Sequence, residues 1–422
     1  MTIKTTEVVN GKQAKTNESH FECDFLPGHV LVGIEPSSQI SCSKLDCQFF
    51  PELNLTNVEI LLSANTETLS IKAKEAIGSI LLLELVDGNK EAVLEAIERL
   101  EQNPHVAYAE PDYIQDKDQL LEADQQLTFT QNANSLLWNM ERIGLANAWA
   151  KTTGDSEIKV GILDSGIDHT HPNLAKNVDP SLGWNFAQKS SDTSDQESGG
   201  HGTIAAGIIG ATGHNNYRMV GMNSEVTLIP LKIRNDETGI YSAAHVRALK
   251  YANEIGIHII NRSLGSDKHS KALENAIRSF NGLIINSAGN NARDTDLEPR
   301  YPASLNIPNM ITVGNSNQFD QKSRNSNFGL TTVDLFAPGH AILSTAPGRA
   351  FRSTGGTSFA APHVTGAAVL ALSVNPSFTP VELKAAIMNT VDPVPALADL
   401  SVTGGRLNVG RLVTSAFLMA NK

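Results

Sequence analysis

From Ile158 onward, short runs of apolar residues alternate with stretches in which apolar positions recur at a helical period. Short apolar runs are typical of buried strands, and a helical period marks the core-facing side of a helix. Strands and helices are therefore predicted over Lys159–Leu163, Thr203–Ala211, Thr227–Ile233, Ser242–Ile255, Ile257–Asn261, Lys271–Phe280, Leu283–Asn286 and Met310–Val313. This alternation predicts an α/β fold, a three-layer parallel sheet flanked by helices.

The pattern before this region is different and predicts a separate unit. Apolar runs at His29–Ile34 and Ser79–Leu85 predict strands, and the spacing of apolar residues over Glu91–Gln102 predicts a helix. These elements indicate a small α+β domain over residues 25–114. Residues 1–24 have little apolar content and no periodicity, so they are interpreted as a disordered leader.

A polar stretch separates the small domain from the α/β region. Residues 115–135 are rich in Asp, Gln and Asn, which is typical of a linker, and the larger domain is predicted over residues 136–422. The charge distribution agrees with this division, because residues 1–132 hold 9 Lys and Arg against 22 Asp and Glu, a net −13, whereas the whole chain carries −12.

Charge and hydropathy also exclude two classes of partner. The chain has no Lys/Arg cluster of the kind that neutralises phosphates, so no nucleic acid is expected as a partner. No run approaches the roughly 18 consecutive apolar residues of a membrane helix, so no membrane segment is expected. With 41% hydrophobic and 18% charged residues, the chain is predicted to be a soluble protein, and we expect a monomer.

All three cysteines, Cys23, Cys42 and Cys47, precede the α/β domain, which must therefore be stable without a disulfide. An odd number of cysteines cannot pair completely within one chain. Free thiols and a Cys42–Cys47 bridge both remain open, and the small number of cysteines favours free thiols.

Three polar residues lie at the ends of predicted elements, where the functional groups of parallel sheets collect. Asp164 follows a strand directly, His201 opens a helix, and Ser358 precedes the apolar helix Ala367–Ser373. Each has an ordinary structural interpretation as a turn or helix cap. A helix N-terminus disfavours imidazolium, however, so His201 is expected to be neutral and available as a base. Unpaired N–H groups at the other helix start would stabilise an oxyanion beside Ser358.

The segments Asp164-Ser-Gly, His201-Gly-Thr and Gly356-Thr-Ser358-Phe-Ala-Ala-Pro resemble, in that order, the three signature segments of the subtilisin family. The resemblance covers residues 136–416, and Pro27–Tyr113 resembles the inhibitory propeptide of secreted members. It implies a subtilisin-like serine endopeptidase that is made as a self-processing zymogen.

The resemblance also implies roles for single residues. Ser358 would be the nucleophile, His201 its general base and acid, and Asp164 the carboxylate that orients His201. Ser287-Ala-Gly-Asn290 resembles the oxyanion-hole segment, so Asn290 and the backbone N–H of Ser358 are implied as oxyanion donors. The propeptide would assist folding and fill the cleft until the chain is cut within residues 113–135.

Protein or peptide substrates are expected to bind as an added extended strand. The resemblance implies one strand-pairing edge and two walls of a primary pocket as substrate-binding residues, namely Gly239, Ile240, Tyr241, Ser263, Leu264, Gly265, Ser287, Ala288 and Gly289. Arg300 stands near the floor of that pocket. Inside the pocket it would favour Asp or Glu before the scissile bond, as at Asp116 or Asp118 of the junction. The simpler expectation is that Arg300 faces solvent.

The resemblance implies no cofactor for the chemistry and a structural calcium ion. Residues 214–220 resemble the calcium loop of secreted subtilisins, with the carbonyl groups of His214, Arg218 and Val220 and the side chain of Asn216 as ligands. Asn173 stands where relatives contribute a carboxylate. Because the ligand charge is lower, a weaker site is expected.

Two other positions depart from the family pattern. Ile204 replaces a second histidine that follows the His201 signature, and Phe359 replaces a methionine after Ser358. Neither is a triad position, so both changes are expected to alter packing and to leave activity intact.

Two other functions and the compartment remain open. A relative that binds peptides without turnover is disfavoured because the triad residues and Asn290 are intact, and a transpeptidase would use the same acyl-enzyme. Met1–His20 is polar and lacks the apolar stretch of a secretory signal peptide. A secreted or lumenal location therefore requires that a signal was removed or that another route is used, and a cytoplasmic location is the alternative.

Overall fold

The computed structural model describes residues 25–38, 40, 44–64, 77–117, 121–125, 137–195, 199–213, 219–235 and 239–421. The predicted leader, much of the predicted linker and most of the expected calcium loop lie outside these residues. The described chain forms an N-terminal antiparallel sheet and a larger parallel sheet, each covered by helices.

The N-terminal unit is an antiparallel sheet in the order β2-β3-β1-β4. Its strands are β1 (Phe25–Ile34), β2 (Leu55–Leu62), β3 (Ile80–Leu85) and β4 (Val106–Lys117). Helix α1 (Lys90–Leu100) begins at Asn89, whose side chain accepts the N–H of Ala92 at 2.8 Å, and its apolar side packs on this sheet. The predicted strands and helix are confirmed here, and β2 is an additional strand that was not predicted.

The larger unit is built on parallel strands in the order β15-β14-β13-β11-β6-β8-β7. These strands are β6 (Gly154–Asp164), β7 (Trp184–Asn185), β8 (Glu225–Lys232), β11 (Ile259–Arg262), β13 (Leu283–Ser287), β14 (Met310–Ser316) and β15 (Leu335–Pro338). Two shorter strands, β18 (Asp392–Pro393) and β19 (Gly405–Arg406), extend the edge of this sheet. Three others continue the N-terminal sheet beyond β4, and they are β9 (Arg234–Asn235), β10 (Gly239–Tyr241) and β12 (Leu264–Gly265). A third, three-stranded sheet consists of β5 (Leu121–Gln125), β16 (Ile342–Ala346) and β17 (Ala350–Gly355).

Helices cover both faces of the parallel sheet, so the predicted three-layer fold is confirmed. One face carries α2 (Trp138–Arg142), α3 (Leu145–Trp149), α4 (His201–Gly210), α7 (Thr357–Val374), α8 (Pro380–Asn389) and α9 (Val409–Ala420). The other face carries α5 (Ser242–Glu254) and α6 (Lys271–Ser279). Leu31, Leu61 and Leu82 of the N-terminal sheet join the core that contains α5 and α6, so the small sheet packs against these helices.

Helix α7 runs through the core of the larger unit. Within the described ranges it is the one helix long and apolar enough to cross a membrane, and 89% of its apolar window is buried inside the protein. Packing against the sheet and the neighbouring helices accounts for this composition, because a helix that is apolar all round is typical of a protein core.

Two sequence interpretations differ from the structure near the domain boundary. The segment interpreted as a linker contains the end of β4 and all of β5, because strand edges remote in sequence supply hydrogen-bond partners for a polar segment. Cys47 is an exposed free thiol, so it does not bridge to Cys42. Cys23 and Cys42 lie outside the described residues.

Candidate active site

Asp164 and His201 form a buried pair at the carboxyl edge of the parallel sheet. Asp164 ends β6 and His201 begins α4, and the two residues are 3% and 5% exposed. His201 Nδ1 lies 2.9 Å from Asp164 Oδ1 and 2.8 Å from Oδ2. Because an ionised carboxylate only accepts, Nδ1–H donates, and Nε2 is the basic nitrogen of the neutral ring.

The first turn of α4 is held by side chains around this pair. Buried Asp195 accepts the N–H of Thr203 at 3.0 Å and its hydroxyl at 2.7 Å, and the Ser165 hydroxyl accepts the N–H of Gly202 at 3.0 Å. Burial raises the pKa of Asp195, and the charge of Asp164 raises it further. The hydrogen bonds from Thr203 lower this pKa but do not offset the increase. The bonds fix the backbone that carries His201.

Ser358 lies in the first turn of α7 and is 2% exposed. Its carbonyl accepts the hydroxyl of Ser263 at 3.1 Å. The ring of the next residue, Phe359, lies 5.3 Å from the His201 ring between centroids. Gly356 has a φ of +144°, which side-chain-bearing residues rarely adopt, so glycine is required where the chain enters the helix. The start of α7 therefore packs beside the His201 ring.

Asn290 is oriented by Thr357, the residue before Ser358. Its Oδ1 accepts the Thr357 N–H at 2.9 Å and the Thr357 hydroxyl at 3.0 Å. The Thr357 hydroxyl oxygen also accepts the N–H of Gly289 at 3.1 Å. The amide also lies close to Gly356, because a Cβ built on this glycine would be 3.2 Å from Asn290 Nδ2. Asn290 therefore lies against the backbone that leads into the α7 N-terminus.

The end of β4 pairs with the predicted strand-pairing edge and with one of the two predicted pocket walls. Ile114 and Gln115 pair antiparallel with β10, and Asp116 and Lys117 pair antiparallel with β12. Such pairing is how an extended polypeptide adds to a sheet edge. The chain's own residues therefore lie along the expected substrate path.

The far side of the site is paired with the chain as well. Leu121 of β5 lies opposite Gly355 of β17, just before the Ser358 segment. On the near side, Lys117 lies opposite Leu264, next to the Ser263 hydroxyl that binds the Ser358 carbonyl. Thus β12, on one side of Ser358, pairs with β4, which ends at Lys117. On the other side, β17 pairs with β5, which begins at Leu121.

Arg300 lies between the two predicted pocket walls and is 4% exposed, so the expectation that it faces solvent was wrong. A Cβ built on Gly265 would lie 2.5 Å from Arg300 Nε, and one built on Gly289 would lie 2.8 Å from Arg300 Cδ. The guanidinium crosses from one wall to the other in space that only glycines leave open.

Asp267 links Arg300 to a second arginine. Its carboxylate accepts two hydrogen bonds from Arg293, at 2.7 and 3.0 Å, and one from Arg300 Nη1 at 3.3 Å. The hydrogen bond from Arg293 and the charges of both guanidinium groups hold the pKa of Asp267 below its usual value. Two cations share this carboxylate, so the three side chains together carry a net positive charge.

Two carboxylates of β4 that were not predicted as functional residues cap helices of the larger unit. Glu110 accepts the N–H groups of Lys271 at 2.8 Å and Ala272 at 3.0 Å at the start of α6. Asp112 accepts the N–H of Ala243 at 2.9 Å at the start of α5. Their alternate spacing on one strand puts both on the same side, a signal that the sequence does contain.

The two departures near His201 pack against each other. Ile204 and Phe359 belong to one fully buried cluster with Ile208 and Ile342. Because the Phe359 ring also contacts the His201 ring, this apolar cluster borders the imidazole, as expected for changes that affect packing.

The expected calcium ligands are only partly described. Val220 forms an isolated bridge with Thr212, whereas His214, Asn216 and Arg218 lie outside the described residues. Over the described ranges, no group of three or more His, Cys, Asp or Glu side chains is placed to hold a metal.

Asn173 has the environment of a cation ligand. It is fully buried, its Nδ2 donates to the Met219 carbonyl at 3.0 Å, and its Oδ1 accepts no hydrogen bond from the described part of the chain. Buried amide oxygens are normally satisfied, and an amide oxygen is a ligand that calcium accepts. Asn173 therefore fits the site that the resemblance implies.

A buried carboxylate and imidazole, a serine at a helix start and peptide-pairing edges beside them are the features of an α/β serine hydrolase that acts on polypeptides. A profile described as Subtilase family matches residues 155–410. Thermophilic serine proteinase of Bacillus sp. (strain AK1) is 33% identical over 335 residues, which cover 77% of this chain and 75% of that protein. Thermitase of Thermoactinomyces vulgaris is 34% identical over 264 residues, 62% of this chain and 90% of thermitase.

The fold also matches a solved structure. Fervidolysin of Fervidobacterium pennivorans, described as a keratinolytic enzyme related to subtilisin, aligns with a TM-score of 0.70 at 20% identity. The alignment covers 93% of this chain and 62% of fervidolysin. This chain belongs to the subtilase family, and it is a serine endopeptidase.

Proposed function

We propose that Ser358, His201 and Asp164 hydrolyse peptide bonds through an acyl-enzyme. Ser358 Oγ attacks the scissile carbonyl carbon, and its proton passes to His201 Nε2. His201 gives that proton to the leaving nitrogen as the C–N bond breaks, and water then hydrolyses the ester with the same base. The contact of His201 Nδ1 with both Asp164 oxygens carries this proposal, because it fixes the tautomer with a basic Nε2.

Asn290 and the Ser358 N–H are proposed as the donors to the tetrahedral oxyanion. The Thr357 anchor on Asn290 Oδ1 supports this role, because the amide is oriented before substrate arrives. The chemistry then needs no cofactor, since base, nucleophile and oxyanion donors all come from the chain.

A fluorophosphonate probe tests this assignment directly. The purified protein should be labelled at Ser358 and should cleave casein, and Ser358→Ala should lose both properties. A protein that folds but neither labels nor cleaves would be a peptide-binding relative without turnover. Transfer of the acyl group to added amines in place of water would indicate a transpeptidase.

The N-terminal unit is proposed to be an inhibitory propeptide that the enzyme removes itself. The pairing of Ile114–Lys117 and Leu121–Gln125 on either side of Ser358 supports this role, because it resembles a bound substrate. The bond cut during maturation is then expected between Lys117 and Leu121. Intact mass and N-terminal sequencing of the purified protein locate the cut, and Ser358→Ala should remain whole.

Arg300 is proposed to favour Asp or Glu before the scissile bond. The burial of its guanidinium between Gly265 and Gly289 supports this role, as does the net positive charge that it shares with Arg293 and Asp267. Maturation after Asp118 would agree with this preference. Reporter peptides ending in Glu should be cleaved faster than those ending in Leu, and a clear Leu preference contradicts the proposal.

A calcium ion is proposed to bind the loop over residues 214–220 and to stabilise the fold. The buried Oδ1 of Asn173 supports this site. Calcium should raise the melting temperature of the Ser358→Ala protein, and EGTA should reverse the change. Protein or peptide substrates and a secreted or lumenal location are proposed on the basis of the family, and detection of the mature enzyme outside its cells tests the location.

A further inference from the structure

Arg262 is a buried cation beside the substrate path. It ends β11, is 0% exposed and is among the largest fully buried side chains of the described residues. Its Nη1 donates to the Leu264 carbonyl and to Asn286 Oδ1, both at 2.7 Å. These bonds hold the guanidinium under the edge strand β12, with Nη2 directed toward β4.

The third acceptor belongs to β4 itself. Arg262 Nη2 donates to Gln115 Oε1 at 3.2 Å, and Gln115 Nε2 donates to the Ser242 hydroxyl at 3.3 Å. Gln115 is 3% exposed, so its carboxamide is enclosed between a donor and an acceptor of the larger unit. Its backbone pairs with Ile240 at the same point.

This arrangement changes when β4 leaves the cleft. A buried guanidinium is stable only where acceptors meet its N–H groups, and Gln115 supplies one of them. A substrate that takes the place of β4 must supply that acceptor again. Buried His245 does not compete for it, because its Nδ1–H donates to the Tyr241 carbonyl at 3.1 Å, and burial and the charge of Arg262 lower its pKa to about 3, so that Nε2 carries no proton.

We propose that Arg262 and Ser242 form a second specificity subsite, which binds a Gln or Glu side chain at the substrate position that Gln115 occupies. A carboxamide satisfies both groups, and a carboxylate adds charge to the bond with the guanidinium. An aliphatic side chain would not replace the acceptor that Gln115 offers to Arg262 Nη2, and a lysine would bring a second cation. The subsite rests on the proposed function, since it acts on substrates of the same cleft.

Peptides that span residues 112–125 test this subsite, with Gln, Glu, Leu or Lys at the Gln115 position. The enzyme is the full chain after it has processed itself, and mass spectrometry confirms that all four peptides are cut at one bond. The Gln and Glu peptides should have kcat/KM values about tenfold or more above the Leu peptide, with Lys lowest.

Arg262→Met should reverse the preference toward Leu, whereas Arg278→Met, at a surface arginine of α6, should retain it. A wild-type Gln-to-Leu ratio at or below one overturns the subsite, even if Arg262→Met does not fold. An unchanged ratio in folded Arg262→Met overturns it as well. Equal cleavage of all peptides leaves the proposed function intact and removes only the subsite, whereas no cleavage and no fluorophosphonate labelling remove both.

Discussion

The carboxylate of Glu59 accepts two hydrogen bonds from Arg247, at 2.6 Å from Nε and 2.7 Å from Nη2. The pair joins β2 of the N-terminal sheet to α5 of the larger unit, and Lys189 adds a contact of 3.1 Å. Paired, geometrically matched contacts of this kind fix orientation as well as contributing energy. The Glu59 pair is therefore one of the contacts that orient the N-terminal unit on the larger one.

The Glu59 pair predicts a loss of stability in acid. Burial alone would raise the pKa of Glu59, but the hydrogen bonds and charges of Arg247 and Lys189 lower it from 4.5 to about 2. A lowered carboxyl pKa stabilises the folded chain above pH 4.5 and loses this contribution as the pH falls toward 2. Glu59→Gln should therefore cost roughly 1–2 kcal/mol at neutral pH and flatten this part of the acid dependence.

Melting temperatures of the Ser358→Ala chain across this pH range provide the measurement. Glu95→Gln is the matched control, because Glu95 forms an exposed pair with Arg99 within α1. Equal acid sensitivity with and without Glu59 would contradict the prediction.

The contacts of Glu110 are expected to prolong the time for which the N-terminal unit stays bound after the cut. Glu110→Ala removes two N–H acceptors from the start of α6, each cap contact being worth about 1 kcal/mol. The lag between self-cleavage and full activity should therefore shorten. The assay follows hydrolysis of a reporter peptide after refolding, with exposed Glu98→Ala as control. An unchanged lag in Glu110→Ala would show that this cap does not hold the inhibitor.

Removing the Asn290 side chain is expected to slow turnover. Asn290→Ala should lower kcat about 10²–10³-fold with little change in KM, a magnitude known from subtilisin itself when such a donor is removed. The neighbouring exposed Asn291→Ala is the control and should retain wild-type kcat. A defect confined to KM would instead assign Asn290 to ground-state binding.

Replacing Asn173 with Asp is expected to make the stability of the protein more dependent on calcium. Asn173→Asp supplies the carboxylate that relatives have, but it also loses the N–H donor to the Met219 carbonyl and buries a charge. Relative to the wild type, the variant should be destabilised by about 1–3 kcal/mol in EGTA and stabilised by about 1–3 kcal/mol in calcium. Its melting temperature should therefore be lower than that of the wild type in EGTA and higher in calcium. A variant that is destabilised equally under both conditions would argue against calcium at Asn173.

Much of this enzyme follows from local sequence. The alternation of apolar runs and helical spacing predicts the parallel sheet, because each element's period is set by neighbouring residues. The positions of Asp164, His201 and Ser358 at element ends follow from the same pattern, and the signature segments imply their roles. These features depend on a few adjacent residues, so the sequence alone determined them.

Only the tertiary structure decided what lies in the cleft. The segment from Gln115 reads as a polar linker, yet β10 and β12 pair with its first residues from distant parts of the chain. The orientation of Arg300 depended on Gly265 and Gly289, and the burial of Arg262 depended on Gln115 and Asn286. Whether a charge is buried and what satisfies it is a property of its spatial neighbours, which no local period encodes.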